Sequence, residues 1–338
     1  MPKKHVTISD VADKAGVSKM TVSRVINHKG EISATTRQRV LDAMQELGFR
    51  PNRIAKRLAT NATCQIGIVV PSISNQYFGA IIEGAEQFLW EHDYQILLCH
   101  TGGDPARQQA IMRILEDNRV DGVIVLSAHS SGEAMSRALA NQRAAVAINT
   151  NVTPGVATCI FTDEIKSMAL AVHHLMANGR RHLGYIGFEI DTYASHERRR
   201  GFDLALHQAG LVLDAPKQCA TIPTQFGPDT NAIIGQLLTS NPKLDALVCF
   251  NTAIAAKALQ TCTELNRHIP NDIAILGYDD DLIAELMTPP LTAVELEIPK
   301  QDVGALAAHL LLQHLKDRNS QPEDVILHHK LVVRSSAP

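Results

Sequence analysis

Between Lys19 and Arg24 the chain reads Lys-Met-Thr-Val-Ser-Arg. On a helix, Val22 with Val25 and Ile26 makes one apolar face by 3 and 4 spacing, which leaves Lys19, Met20, Thr21, Ser23 and Arg24 on the other. Two cations, two hydroxyls and a flexible apolar arm suit base edges and phosphate oxygens, not bond breaking. A second group lies further on: Arg198 opens a run of three arginines, Asn251 stands alone, and Asp279 opens a run of three aspartates. These types exchange hydrogen bonds with hydroxyl or carboxylate oxygens. A charge run is equally a solvated helix face, and an aspartate-rich turn often only caps a helix, so residue type alone leaves both readings open. Other chemistries are not indicated. The six cysteines lie far apart with no CxxC, and His173-His174 and His328-His329 are adjacent pairs that point apart on a helix or strand. There is no GxSxG, no GxGxxG after a strand and no P-loop. We therefore expect no enzyme, no catalytic residue, no cofactor, no metal, and reduced cysteines.

The first group needs a scaffold, and the sequence supplies one. Ile8, Val11 and Ala12 stripe a short helix with Ser9 as its candidate cap. Gly16 breaks it, since glycine enters a tight turn with positive φ at no steric cost. Val17 plugs the turn and Ser18 starts the second helix, giving a helix-turn-helix. A third helix runs from Ser33 to Leu47 with Val40, Leu41, Met44 and Leu47 inward, and Gly48 stops it. Net charge is −3 over 338 residues, but residues 1–60 hold 12 Lys+Arg against 5 Asp+Glu, and the rest hold 20 against 30. A basic head on an acidic body reads as a polyanion-binding module joined to something else. After Pro51, Ile54–Ala59 is too short to hold a helix alone, carries Lys56, Arg57 and Leu58, and could be a plain linker.

From Gln65 the pattern changes to apolar strands alternating with amphipathic helices, which means βαβ units and parallel sheets. Strands are expected at Ile66–Pro71, Tyr94–Cys99, Val120–Leu126 and Ala145–Asn149, and the pattern restarts near Asp163 and runs to Gly277. Two runs imply two doubly wound lobes, with ligand beyond the carboxyl ends of the strands, in the cleft between them. No apolar leader and no stretch of 18 apolar residues is seen, so a cytoplasmic, non-membrane protein is expected.

The blocks ISDVADKAGVSKMTVSRVIN, ELGFRPNRIAKRLA, NRVDGVIVL, GRRHLGYIG, ILGYDD, TPPLTAV and LVVRSS occur in this order. With them the chain resembles the LacI family of bacterial transcription repressors over essentially its whole length. The resemblance implies an α + α/β fold: a helix-turn-helix head, a hinge helix, and two doubly wound α/β lobes of periplasmic-binding-protein type. The implied divisions are 1–51 for the head and 52–63 for hinge helix and linker. The N-terminal lobe takes 64–163 plus 293–321, and the C-terminal lobe 164–292 plus 322–338. It implies a homodimer on palindromic double-stranded operator DNA, controlled by a small effector, a sugar or sugar acid. Lys19, Met20 and Arg24 match base readers; Thr7, Thr21, Ser23 and Asn27 match phosphate contacts; Leu58 matches a minor-groove wedge. Tyr77, Phe78, Arg198, Phe226, Asn251 and Asp279 match effector-pocket positions, and His100 and Asn149 lie at strand ends facing the same cleft.

Thr252 departs from the family's usual aspartate after Asn251; it is expected to cap the following helix. No heptad tail follows, so a dimer and not a tetramer is expected. Lys19-Met20, Ser74-Asn75-Gln76 and Tyr94–His100 are similar to gluconate-type members, a hint of a sugar acid. The alternative is a solute-binding receptor without a DNA role, which the basic head opposes.

Overall fold

The computed structural model describes residues 6–26, 32–49, 62–127, 132–211, 218–223, 229–279, 282–317 and 321–338. Met1–Thr63 and Cys64–Pro338 form two compact units. Among the described residues no helix is long and apolar enough to cross a membrane.

In the first unit Thr7, and not the expected Ser9, caps the helix Ile8–Ala15. Thr7 has extended backbone, and its hydroxyl and amide both donate to Asp10 Oδ2 at 2.7 Å, while Asp10 N–H returns a 3.4 Å bond to Thr7 Oγ1. This reciprocal box satisfies donors that a helix start otherwise leaves open. Gly16 ends the helix at φ 65°, as the turn requires. Ser18 Oγ accepts from Thr21 N–H at 3.1 Å and so caps the helix Lys19–Ile26. The helix Ala34–Leu47, capped by Ser33, closes the core of Val11, Ala12, Ala15, Val22, Val25, Val40 and Ala43. Leu41, expected inside, is 44% exposed; Ala43 takes its place on the inner stripe.

The second unit holds two six-stranded sheets. The first contains β1 (Gln65–Val70), β2 (Gln95–His100), β3 (Gly122–Leu126), β4 (Ala145–Ile148), β5 (Thr158–Thr162) and β11 (Val325–Leu327), in the order β11-β5-β4-β3-β1-β2. The second contains β6 (Leu183–Phe188), β7 (Cys219–Ile222), β8 (Ala246–Cys249), β9 (Ala274–Tyr278), β10 (Thr292–Leu296) and β12 (His329–Val332), in the order β12-β10-β9-β8-β6-β7. All pairings are parallel except β10 with β12. Strand order reverses between β1 and β3 and between β6 and β8, the places where open sheets accept ligands. Both faces of each sheet are covered: Ile66, Ile68 and Ile124 pack under one pair of helices and Val69, Val123 and Val125 under the other. Hence these strands read as unbroken apolar runs.

Sheet membership corrects the expected lobe boundaries. Residues 292–296 belong to the second sheet through β10, whereas the resemblance implies the N-terminal lobe for 293–321. Residues 325–327 pair with β5 in the first sheet, whereas the resemblance implies the C-terminal lobe for 322–338. One residue, His328, separates β11 in one sheet from β12 in the other. The helix Lys300–Lys316 also returns to the first sheet's side, packing on Gln76–Glu91 with glycine at the contact on each side. A Cβ on Gly84 would collide with the Gln301 carbonyl, and one on Gly304 with that of Ile81.

Candidate functional site

The head presents the face that the sequence pattern predicts. Lys19, Met20 and Arg24 are exposed, Met20 by 66%, while Val22 and Val25 hold the opposite face in the core. Thr21 and Ser23 are half-buried, and Thr21 Oγ1 lies 2.9 Å from Ser18 Oγ, so that hydroxyl is shared with the cap. Thr7 is exposed but engaged by Asp10. Asn27 and Leu58 lie outside the described residues.

The second unit contains a cleft of 1190 Å³. Its walls are the chain just past the strand ends: Pro71 after β1, Ser127 after β3, Asn149 after β4, Phe250 after β8 and Asp279 after β9. Ser127, Asn149 and Asp279 have φ of 44°, 46° and 64°. Left-handed backbone at non-glycine residues is uncommon and gathers at functional sites. The helix Gln76–Glu91, capped by Asn75 Oδ1 on Tyr77 N–H at 2.9 Å, brings Tyr77 and Phe78 to the cleft with their rings edge to face.

Arg198 is 4% exposed and lies between two rings, its Cζ 4.8 Å from the Phe250 centroid and 4.2 Å from that of Tyr278. Nε donates to Glu164 Oε2 at 2.9 Å and Nη2 to Glu164 Oε1 at 3.2 Å, a two-pronged pair. Nη1 donates to the Phe250 carbonyl at 2.6 Å, and Nη2 stands 3.5 Å from Asp279 Oδ1. Glu164, at 1% exposure, also accepts from Thr162 Oγ1 at 2.7 Å. Burial opposes its charge, yet Arg198, with His329 and Thr162, holds its carboxyl below the usual range. Burial likewise opposes the Arg198 charge, but Glu164 and Asp279 keep the guanidinium firmly protonated. Asp279 itself keeps about a fifth of its side chain exposed and faces the cleft.

Of the expected pocket residues, the cleft brings together Tyr77, Phe78, Asn149, Arg198, Asn251 and Asp279. His100 does not line it; its Nε2 meets Arg107 Nη2 at 3.2 Å, because β2 is the edge strand of its sheet. Phe226 lies outside the described residues. Asn149 spends its carbonyl oxygen on Thr162, accepting from N–H at 2.9 Å and from Oγ1 at 3.1 Å. Asn251, and not Thr252, caps the helix Thr252–Glu264, accepting from Ile254 N–H at 2.8 Å. Thr252 is buried and donates instead to the carbonyls of Tyr278 and Asp279, at 2.8 and 2.7 Å, which ties that helix to the Asp279 turn. The sequence reading missed Glu164, Phe188, Phe250 and the Glu295–Lys300 pair, in which Nζ lies 3.0 Å from both carboxylate oxygens. For Phe188 and Phe250 a signal existed, since each sits at a strand's carboxyl end; their rings stack at 5.9 Å.

Among the described residues no group of three His, Cys, Asp or Glu could hold a metal ion, and all six cysteines are unpaired, Cys159, Cys249 and Cys262 buried.

Comparison with known proteins matches residues 7–52 to a model described as bacterial regulatory proteins, lacI family, and residues 172–337 to a periplasmic binding protein-like domain. The chain is 32% identical over 332 residues to the HTH-type transcriptional regulator RegA of Clostridium saccharobutylicum, covering 98% of each. It is 31% identical over 334 residues to the HTH-type transcriptional repressor PurR of Vibrio vulnificus (strain CMCP6), again covering 98% of each. Among solved structures it is similar to a transcriptional regulator CelR–cellobiose complex, with TM-score 0.73, 28% identity, and coverage of 98% of this chain and 99% of that one.

Proposed function

This chain belongs to the lacI family of bacterial regulatory proteins, and on that premise we propose that it is a cytoplasmic repressor of transcription switched by a sugar or sugar acid. It is a DNA-binding regulator and not an enzyme. The observation that carries the reading is the Lys19–Ile26 helix, with Lys19, Met20 and Arg24 exposed on one face and the other face packed. Lys19, Met20 and Arg24 would read bases in the major groove; Thr7, Thr21, Ser23 and Asn27 would contact phosphates. A two-fold homodimer would set two such helices on an inverted repeat with half-sites about one helical turn apart. Residues 52–63 would form the hinge, with Leu58 entering the minor groove.

Tyr77, Phe78, Arg198, Asn251, Asp279 and Phe226 would hold the effector, with Asn149 shaping the cleft wall. The charged groups support a polar ligand, and the stacked Phe188 and Phe250 supply an apolar face of the kind that a sugar ring presents. The CelR relative, solved with cellobiose, supports the sugar class. Gel-shift titration on inverted repeats from upstream DNA, with and without sugars and sugar acids, tests the reading. Equal affinity for repeat and random DNA would defeat it.

A further inference from the structure

Among the described residues, each cation that lines the cleft is already answered by an anion. The lining includes three acidic side chains, Glu83, Asp279 and Glu295, and two basic ones, Arg198 and Lys300. Lys300 Nζ sits 3.0 Å from both oxygens of Glu295. Arg198 meets Glu164 through two N–H groups, and Glu164 lies behind it with no exposed side-chain surface. A guanidinium has five N–H donors. Two go to Glu164, one to the Phe250 carbonyl, and one faces Asp279 at 3.5 Å, which leaves one on Nη1. Recognition of a carboxylate by arginine uses two parallel N–H bonds. Glu164 holds one two-donor edge, Nε with Nη2, and the other, Nη1 with Nη2, is shared with the Phe250 carbonyl and Asp279, so a ligand carboxylate finds neither edge free. An anion would also meet the Asp279 carboxylate, which faces the cleft beside Arg198.

We propose that Glu164 is a specificity-determining residue, which sets Arg198 against ligand carboxylates and restricts the effector to an uncharged polyhydroxyl compound, a neutral sugar, over a sugar acid. The proposal rests on the cleft being the effector site and deepens that reading. It runs against the similarity of Lys19-Met20, Ser74-Asn75-Gln76 and Tyr94–His100 to gluconate-type members. Of these, Ser74, Asn75 and Gln76 line the cleft, and they bring no charged side chain to it. Glu164 acts through Arg198: it fixes the guanidinium plane between the Phe250 and Tyr278 rings and cancels its charge, while the one uncommitted N–H and the Asp279 oxygens meet ligand hydroxyls. Glu164 is thus a positioning residue, hidden from the ligand.

The test uses the full chain and calorimetric titration with paired probes that differ only in oxidation at C1, glucose with gluconate and xylose with xylonate. A panel of neutral disaccharides accompanies them. The wild type is expected to bind at least one neutral probe and no aldonate. In Glu164→Gln the two-pronged pair and the cancelling charge are lost, so aldonate affinity should rise at least tenfold relative to the neutral partner. Glu164→Asp keeps the charge and should keep the neutral preference, a rescue that a purely structural role would not separate from Glu164→Gln. Wild type that binds an aldonate more tightly than its neutral partner overturns the proposal, with or without a folded Glu164→Gln, and leaves the regulator reading intact. Glu164→Gln with no gain for either aldonate also overturns it. The parent reading fails on a different result: a probe that alters operator binding equally in wild type and in Asp279→Asn does not act through this cleft.

Discussion

Two glycines of one helix should respond oppositely to the same substitution. Gly79 and Gly84 both lie in Gln76–Glu91. A Cβ on Gly79 meets nothing within 4 Å. Alanine there should raise stability by about 0.5–1 kcal/mol, because glycine loses more backbone freedom on folding. A Cβ on Gly84 would collide with the Gln301 carbonyl and stand 2.7 Å from Gln301 Cα. Carbon pairs rest at about 3.5–4.0 Å, so the helix Lys300–Lys316 must retreat by roughly 1 Å. Gly304 faces the same contact from the other side, with its Cβ 2.7 Å from Ala85 N, so neither backbone has slack. Overpacking of this kind costs about 1–3 kcal/mol, which exceeds the propensity gain. The propensity gain is common to both, so Gly84→Ala should fall short of Gly79→Ala by the overpacking cost, about 1–3 kcal/mol, in urea unfolding followed by circular dichroism. The retreat would also loosen β3 and β4, which pack under Lys300–Lys316, and tilt Tyr77 and Phe78 at the cleft. Equal stability of the two variants would refute the close helix crossing.

Asp279→Asn keeps a side chain that tolerates φ 64° but removes the charge facing the cleft; ligand response should vanish while operator affinity in gel shift stays within about twofold. Arg198→Ala is the poorer probe, since it strands the Glu164 charge and should cost about 3–5 kcal/mol of stability, read as a lower urea midpoint. Lys19→Ala should lose roughly 1–3 kcal/mol at particular base pairs and little on random DNA; equal losses on both would remove Lys19 as a base reader. His329 is buried, its Nδ1 without a hydrogen-bond partner among the described residues, and burial, opposed by Glu164, lowers its pKa from 6.5. The unfolded chain takes up that proton near 6.5 and the folded chain only at lower pH, so this contribution is full above 6.5 and is lost as pH falls below it. Glu164, held below 4.5, titrates outside that window. His329→Gln should lose stability less steeply between pH 6.5 and 5, and an unchanged slope would contradict the assignment.

Local order was legible in the sequence; long-range pairing was not. The turn at Gly16, the stop at Gly48 and the face of Lys19, Met20 and Arg24 follow from spacing and from glycine's freedom, and the described helices carry them. Caps misled where two candidates stood close together. Thr7 outcompeted Ser9 because Asp10 lies three residues on and completes a box, and Asn251 outcompeted Thr252 because the threonine hydroxyl found carbonyls of β9 and its turn. Glu164 was invisible for a plainer reason. An acidic residue in the first turn of a helix is common on electrostatic grounds alone, and its partner lies 34 positions away. His100 sat at a strand end like the others, but nothing local reveals that its strand is at an edge.

The passage of the chain from β11 to β12 through His328 has a consequence for biosynthesis. The ribosome delivers residues 325–337 after every other described element, yet these residues complete both sheets. Ser336 then closes the second sheet's base, donating from Oγ to the Ile275 carbonyl at 2.6 Å and accepting from Thr292 N–H at 2.8 Å. Neither lobe can reach its final form on a nascent chain that lacks them. The edges of β5 and β10 stay open until the last stretch emerges, and unpaired edges are where chains stick to one another. A transcript cut short before this stretch would leave two unfinished sheets in place of one finished lobe, and quality control would meet both at once.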